Sequence, residues 1–498
     1  MDAIQRVPVA AMDPHRFRSV LPPPEFAALV NLIERSAAVL SGRVVWNVNS
    51  TARGGGVVEL LRPLLGYSRG SGVDARWLVI GGDPAFFSVT KRLHNHLHGT
   101  EGDGGQLGAP ERRTYDQVLA VHAGALAKLV QPRDIVILHD PQTAGLVSPL
   151  HGTGATVIWR CHVGVDSSNR IAREAWNFLL PYLGDADACI FSRAAFVWAG
   201  LPASKLAVIQ PSIDVFSPKN AELAGDRVLA ILNRVGVLAH RSPGPPAFTR
   251  SDGTTGRVGC RAGMLQAEPL SPGDPVVAQI SRWDALKDPL GVLRGFAARV
   301  APHSPAHLLL AGPAPAAVAD DPEGADIFSA VCEAWHGLPN GLRDRVHLAA
   351  LPMDDVDENA AVVNALQRHA TIVVQKSIAE GFGLTVAEAM WKSRPVVASR
   401  IGGIQDQIVD GESGTLISDP SDPVEFGAAI LGLLGDPSRA ARFGSAAHER
   451  VRTHFLGPRH LACYFELIEH LITGAGIPPT LAPDQPGPPE PDRLRAIS

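Results

Sequence analysis

What most constrains this chain is a rhythm: short β-branched runs, each followed by a turn or an amphipathic stretch, recur through one half of the sequence and restart in the other. The runs are residues 44–49, 76–80, 135–139, 156–161, 188–191 and 206–209, then 276–280, 306–310, 346–349, 371–375, 395–398 and 414–417. Such alternation predicts parallel sheets, because parallel strands need crossovers and helical crossovers cover both faces. Two Rossmann-like, doubly wound α/β domains in tandem follow, over 1–215 and 216–457. A chain of 498 residues, 45% of them hydrophobic, is long enough to bury two cores.

Two stretches depart from the rhythm. Residues 236–275 are rich in Gly, Pro, Ser and Thr and lack a period, which predicts a flexible insertion. Residues 458–473 carry a last helical pattern, and 474–498, ending in PDQPGPPEPDRLRAIS, are too proline-rich and polar to pack, so a disordered tail is expected.

Charge and cysteine usage narrow the function. The 45 basic and 50 acidic residues nearly balance, at a net charge of -5, which gives no global field for nucleic acid or a membrane surface. No run reaches the ~20 apolar residues a membrane helix needs, and the N-terminus does not read as a signal peptide. Cys161, Cys189, Cys260, Cys332 and Cys463 stand singly, without metal or disulfide spacing, which predicts a reduced cytoplasmic setting and no metal centre. A homodimer is compatible with this composition.

The densest chemistry lies in SIAEGFGLTVAEAMW, residues 377–391, where a strand, a glycine loop and a helix arrive in the order an anion site needs. Gly381 and Gly383 admit a close ligand, and the amides near Leu384 and Thr385 head a helix whose dipole favours phosphate. Glu380 falls in the loop and Glu388 one turn inside the helix. Eight helical residues span ~12 Å, too far for the carboxyl pair of a glycosidase, which sits ~5 to 9.5 Å apart.

Arg282 and Lys287 follow the run 276–280, and two cations in a strand-end loop suit a departing diphosphate without help from a metal ion. The alternative is that they pair with Asp284 and Asp288 on the surface. In the first domain, the loop holding Gly54, Gly55 and Gly56 precedes a helix, but its spacing is not the dinucleotide fingerprint, which weakens an NAD(P)-dependent oxidoreductase as a rival. His139 ends a strand, and Asp140, Gln142 and His162 follow strands, whose carboxyl ends point into a crevice.

The run EGFGLTVAEAMW, with its E-x7-E spacing, resembles the donor site of retaining GT-B glycosyltransferases. NVNSTARGGGVVELLRPLLGY, FFSVTKRLHNHLHG, HDPQTAGL, WRCHVGVDSSN, PSIDVFSPKN and QISRWDALKD narrow the resemblance to the trehalose glycosyltransferring synthases and trehalose phosphorylases. That resemblance implies a GT-B fold with an interdomain cleft, helix 458–473 crossing back to the first domain, and transfer of glucose from an NDP-glucose such as UDP- or ADP-glucose to glucose, giving trehalose. No cofactor is implied beyond the nucleotide sugar.

The same resemblance implies catalytic roles for His162, Arg282, Lys287 and Glu380. Donor contacts fall to Gly55, Gly56, Arg282, Lys287, Gly381, Phe382, Gly383, Leu384, Thr385 and Glu388, with Glu388 on the ribose. Acceptor contacts fall to Asn49, Lys91, Asn95, Asp140 and Gln142. Trehalose phosphorylase is the alternative activity, and a non-catalytic nucleotide-sugar binder a distant one. One departure stands out: Gly164 lies where some members of the branch carry an acidic residue.

Overall fold

The computed structural model describes residues 4–52, 55–239, 244–315 and 322–483. The chain divides into two units, Met1–Pro211 with Gly457–Ser498, and Ser212–Leu456.

The first unit is built on β1 (Ile4–Val7), β2 (Val44–Asn49), β3 (Asp74–Ile80), β4 (Ile135–His139), β5 (Thr156–Cys161), β6 (Ala188–Phe191) and β7 (Leu206–Val208). They form one sheet in the order β1-β3-β2-β4-β5-β6-β7, with β1 antiparallel to β3 and the other neighbours parallel. Successive side chains point to opposite faces. Trp46, Val48, Val136, Leu138, Val157, Trp159 and Cys161 therefore share one face, and they join a core with Phe86, Leu93, Tyr115, Trp176 and Phe178 from the covering helices. Each such large apolar side chain contributes roughly 1.5–3 kcal/mol when fully buried.

The other face is different in kind. Asn47, Asn49, His139 and Arg160 occupy it, each at most 4% exposed. The helix Gly457–Ile472 packs beside the helices Pro23–Val39 and Gly55–Gly70 and brings the Tyr464 ring under the Arg160 guanidinium, 5.7 Å from its centroid. The chain beyond that helix is not wholly the loose tail expected from residue 474. Leu481 is 5% exposed, and its carbonyl accepts from Val208 N at 2.7 Å, which docks residues up to 483 beside β7. Residues 484–498 lie outside the described residues.

The second unit contains β8 (Ala247–Thr249), β9 (Thr255–Arg257), β10 (Gly263–Leu265), β11 (Val276–Ile280), β12 (His307–Pro313), β13 (Val346–Leu351), β14 (Ile372–Gln375), β15 (Val396–Ser399) and β16 (Thr415–Ile417). Its main sheet runs β10-β13-β12-β11-β14-β15-β16. The flexible insertion expected at 236–275 is corrected here. β10 is an antiparallel edge strand on β13, and β8 and β9 form a hairpin. Arg250 grips Asp355 through two bonds of 3.1 and 2.7 Å, and Glu358 accepts from Gly259 N at 2.7 Å. Three-residue strands held by ion pairs carry no hydrophobic period, so nothing in the residue pattern announces them. Residues 240–243 of that stretch lie outside the described residues.

Each sheet reverses its winding once. In the first unit the reversal falls between β2 and β4, and in the second between β11 and β14. Open parallel sheets bind ligands beyond the carboxyl ends of the strands at such a point, because the two crossovers leave there in opposite directions and open a crevice.

Candidate active site

In the second unit the reversal point is lined by the segments after β11 and β14. Gln279, 2% exposed, donates to the Lys287 carbonyl at 2.8 Å, which folds residues 281–287 back over the end of β11. Gly312 beneath is required, since a Cβ there would meet the Ser281 carbonyl at 2.5 Å. Ile378 N donates to Leu286 O at 2.7 Å and joins the two loops. Across that joint Lys287 Nζ meets Glu380 Oε2 at 2.5 Å, with the two side chains 16% and 12% exposed. Asp288 is not its partner, because Lys376 takes that carboxylate. Arg282 does pair with its neighbour Asp284, at 3.0 Å, while its side chain stays 49% exposed.

Glu380 is held by its backbone as much as by its charge. Gly402, at φ 47°, runs so close that a Cβ would lie 1.8 Å from the Glu380 carbonyl. Gly403 N donates to Gly381 O at 2.9 Å. Gly383, at φ 85°, opens the helix Leu384–Trp391, and the amides of Leu384 and Thr385 lie in its first turn. Phe382 was expected to offer its backbone to the donor; its ring is buried against Phe455, with centroids 5.7 Å apart, and its carbonyl accepts from Gln407 Nε2 at 2.5 Å, so its amide N–H is what this residue offers a ligand.

Glu388 is 3% exposed and faces Lys219 Nζ at 3.5 Å and Gln367 Nε2 at 3.4 Å. Lys392 donates to Glu388 O at 3.1 Å and Asn220 Oδ1 at 2.9 Å; burial pushes its ammonium down to about 7, with Glu388 opposing. Lys219 and Asn220 were quoted within PSIDVFSPKN without a role, and Lys392 was not singled out.

In the first unit the reversal point carries Gly55, at φ 79°, which begins the helix Gly55–Gly70 with Gly56. Arg53 and Gly54 of that loop lie outside the described residues. Asn49 is spent internally. Its oxygen accepts from Trp77 Nε1 at 2.8 Å and its nitrogen donates to Thr51 O at 2.7 Å, so the acceptor contact expected of it finds both ends of the amide occupied.

Asp140 sits at φ 66° and accepts from His162 N at 2.8 Å. Burial raises its carboxyl to about 7. The ring of His162 meets that of His139 at 3.1 Å, and burial, with Arg160 nearby, keeps both imidazoles neutral. Lys91 and Asn95 are one turn apart on the helix Pro84–Leu97, Lys91 exposed and Asn95 beside Gly102, and neither bonds to Asp140 or His162. Gln142, half-buried, is the second residue of the turn Pro141–Leu146 that Tyr115 OH clamps at Pro141 O. Gly164 packs on Phe196, whose Cγ would lie 2.4 Å from a Cβ, so no acidic side chain fits there. His460, 4% exposed and edge-on to Tyr464, is a further member of this polar cluster that sequence reasoning did not single out.

Among the described residues no cluster of three or more His, Cys, Asp or Glu is arranged to hold a metal ion, and no helix is long and apolar enough to cross a membrane. Residues 47–198 match the family described as trehalose synthase, N-terminal domain, and residues 265–450 match glycosyl transferases group 1. The trehalose synthase of Rubrobacter xylanophilus is 35% identical over 88% of this chain and 93% of its own, and that of Pyrococcus horikoshii is 34% identical over 89% and 93%. The trehalose phosphorylase of Grifola frondosa is 25% identical, over 82% of this chain but 53% of its own. Among solved structures, the sucrose-phosphate synthase of Thermosynechococcus elongatus superposes with a TM-score of 0.59 at 17% identity, covering 87% of this chain and 100% of that one. The α,α-trehalose 6-phosphate synthase of Burkholderia multivorans gives 0.60 at 14%, covering 87% and 97%. At those identities the likeness is one of fold, the GT-B fold, which contains two Rossmann-like domains.

Proposed function

The chain belongs to the trehalose synthase family of GT-B glycosyltransferases, and we propose that it transfers glucose from an NDP-glucose to glucose, with retention, to form trehalose. The observation that carries this reading is the Lys287–Glu380 pair at the reversal point of the second sheet, beside the open first turn of the helix Leu384–Trp391. A cation, a carboxylate and unspent amides are the groups that a sugar diphosphate calls for. The donor is assigned to this unit. Arg282, Lys287 and the helix N-terminus offset the charge that builds on the departing diphosphate, the backbone of Gly381–Leu384 holds the sugar, and Glu388 receives the ribose hydroxyls. His162 is assigned to the transferred glucosyl group, the acceptor to the first unit around Asp140, Lys91, Asn95 and Gln142, and Gly55 and Gly56 head a second amide cradle for phosphate.

In this account the glucosyl C1–O bond to the diphosphate breaks while a bond to the acceptor oxygen forms on the same face. The acceptor proton passes to the leaving phosphate oxygen, so no protein nucleophile enters. Trehalose phosphorylase is the second reading, favoured by the Grifola frondosa similarity. Incubation with UDP-, ADP- or GDP-glucose plus glucose, against trehalose plus phosphate, separates them. Nucleotide release with disaccharide formation supports the proposal; glucose 1-phosphate release with no use of any nucleotide sugar, or tight donor binding without turnover, overturns it.

A further inference from the structure

Asn47, His139 and His162 form a diagonal row across three neighbouring strands. Asn47 on β2 is the register partner of Ile137 on β4, and His139 stands two residues beyond Ile137 on the same face. His139 is in turn the partner of Arg160 on β5, and His162 stands two residues beyond Arg160. The row is bonded throughout, with Asn47 Oδ1 to His139 Nε2 at 3.0 Å and His139 Nδ1 to His162 Nε2 at 3.1 Å. The imidazole planes differ by 19° and their centroids lie 5.4 Å apart. That separation exceeds the N···N distance by about the radii of the two rings, so both nitrogens lie on the line between centroids, the geometry of an in-plane hydrogen bond.

The row has a direction. An amide oxygen only accepts, so the proton between Asn47 and His139 belongs to His139 Nε2. Burial holds both imidazoles neutral, which leaves His139 Nδ1 a bare lone pair, and the next proton therefore belongs to His162 Nε2. The far nitrogen, His162 Nδ1, is then a bare acceptor, and it is buried with no hydrogen-bond partner among the described residues. A buried acceptor without a donor is unfavourable until a ligand supplies one. The backbone under the ring is fixed by Asp140 through His162 N.

We propose that Asn47 and His139 are positioning residues that hold His162 as its Nε2–H tautomer, so that Nδ1 accepts a hydrogen bond from a hydroxyl of the bound sugar. This rests on the reading of His162 as a sugar contact and adds what sets its polarity: the site prefers a hydroxyl donor there and rejects a deoxy analogue.

The test is the ¹⁵N spectrum of protein labelled in histidine, with His162 assigned by its loss in His162→Gln. The expected result is a protonated Nε2, a bare Nδ1, and a change at Nδ1 on adding saturating glucose or trehalose. A protonated Nδ1, or an Nδ1 unmoved by both sugars, overturns the proposal. Asn47→Leu removes the acceptor and should mix the tautomers while lowering kcat/KM about 10-fold, with Asn47→Asp restoring both, since one lost hydrogen bond is of that order. An unchanged tautomer in Asn47→Leu also overturns it. Should that variant fail to fold, His139→Phe makes the same break and is read the same way. Because the tautomer is read without turnover, a chain that makes no trehalose but shows this signature sinks the transfer reading alone.

Discussion

Lys287→Ala is the most informative single change, because folding and chemistry respond to it differently. The ammonium sits 2.5 Å from Glu380 Oε2 with both side chains mostly buried, so the substitution leaves a carboxylate whose remaining side-chain neighbour is the Ser377 hydroxyl at 3.5 Å. At an effective dielectric near 20, two charges at 4 Å attract by about 4 kcal/mol, and desolvation of both ions offsets much of it. The expected folding cost is therefore on the order of 1–3 kcal/mol, the range of a lost charged hydrogen bond. Loss of a cation at a departing diphosphate should cost ~10²–10³-fold in kcat, about 2.7–4 kcal/mol of barrier. Lys287→Ala combined with Glu380→Gln isolates the folding part: neutralising the stranded carboxylate should return the urea midpoint toward wild type, while turnover stays low because Glu380 is itself assigned a catalytic role. Turnover is read as nucleoside diphosphate release at saturating substrates. Near wild-type kcat in Lys287→Ala, or its recovery in the double variant, would refute the reasoning.

Gly402→Ala places a methyl against the Glu380 carbonyl at a positive φ of 47°, so it should lose about 1–3 kcal/mol in thermal unfolding together with most activity; an unchanged Tm contradicts the tight approach. Glu388→Gln keeps the shape but breaks the pair with Lys219 at 3.5 Å, and should raise the donor KM about 10-fold with kcat within about 3-fold, as expected for binding lost equally from ground and transition states. An unchanged donor KM removes the ribose role. Asp140→Asn tests the raised carboxyl. The folded pKa of about 7 lies above the unfolded ~3.9, so the native state binds more protons between these values and stability falls as pH rises through that window. The carboxamide that replaces it cannot titrate, so the variant should gain stability relative to wild type from pH ~4 to ~7; a pH-independent difference in urea midpoint rules out the raised pKa.

The parallel strands were legible because most are short buried apolar runs bounded by turns, as in residues 135–139 and 276–280, which β4 and β11 match end for end. The antiparallel edges were not. Ile4–Val7 and Gly263–Leu265 gain their order from one neighbour, and the hairpin of β8 and β9 from Asp355 beside it, contacts distant in sequence. At the site, glycines and charges could be named but not paired. Lys287 has Asp288 next to it in sequence, yet it reaches Glu380, because Gln279 turns the loop and Lys376 already holds Asp288. Polar alternation in WNVN and WRCH foreshadowed a polar sheet face, whereas Lys219 and His460 arrive from segments whose placement only the packed chain decides.

The most direct measurement of the central claim follows the transferred carbon. With NDP-[1-¹³C]glucose and unlabelled glucose, the account predicts one nucleoside diphosphate released per disaccharide, with the ¹³C-labelled anomeric carbon in the α configuration of a 1,1-linkage by NMR. A β-linked label, or label appearing only as free glucose, would contradict it.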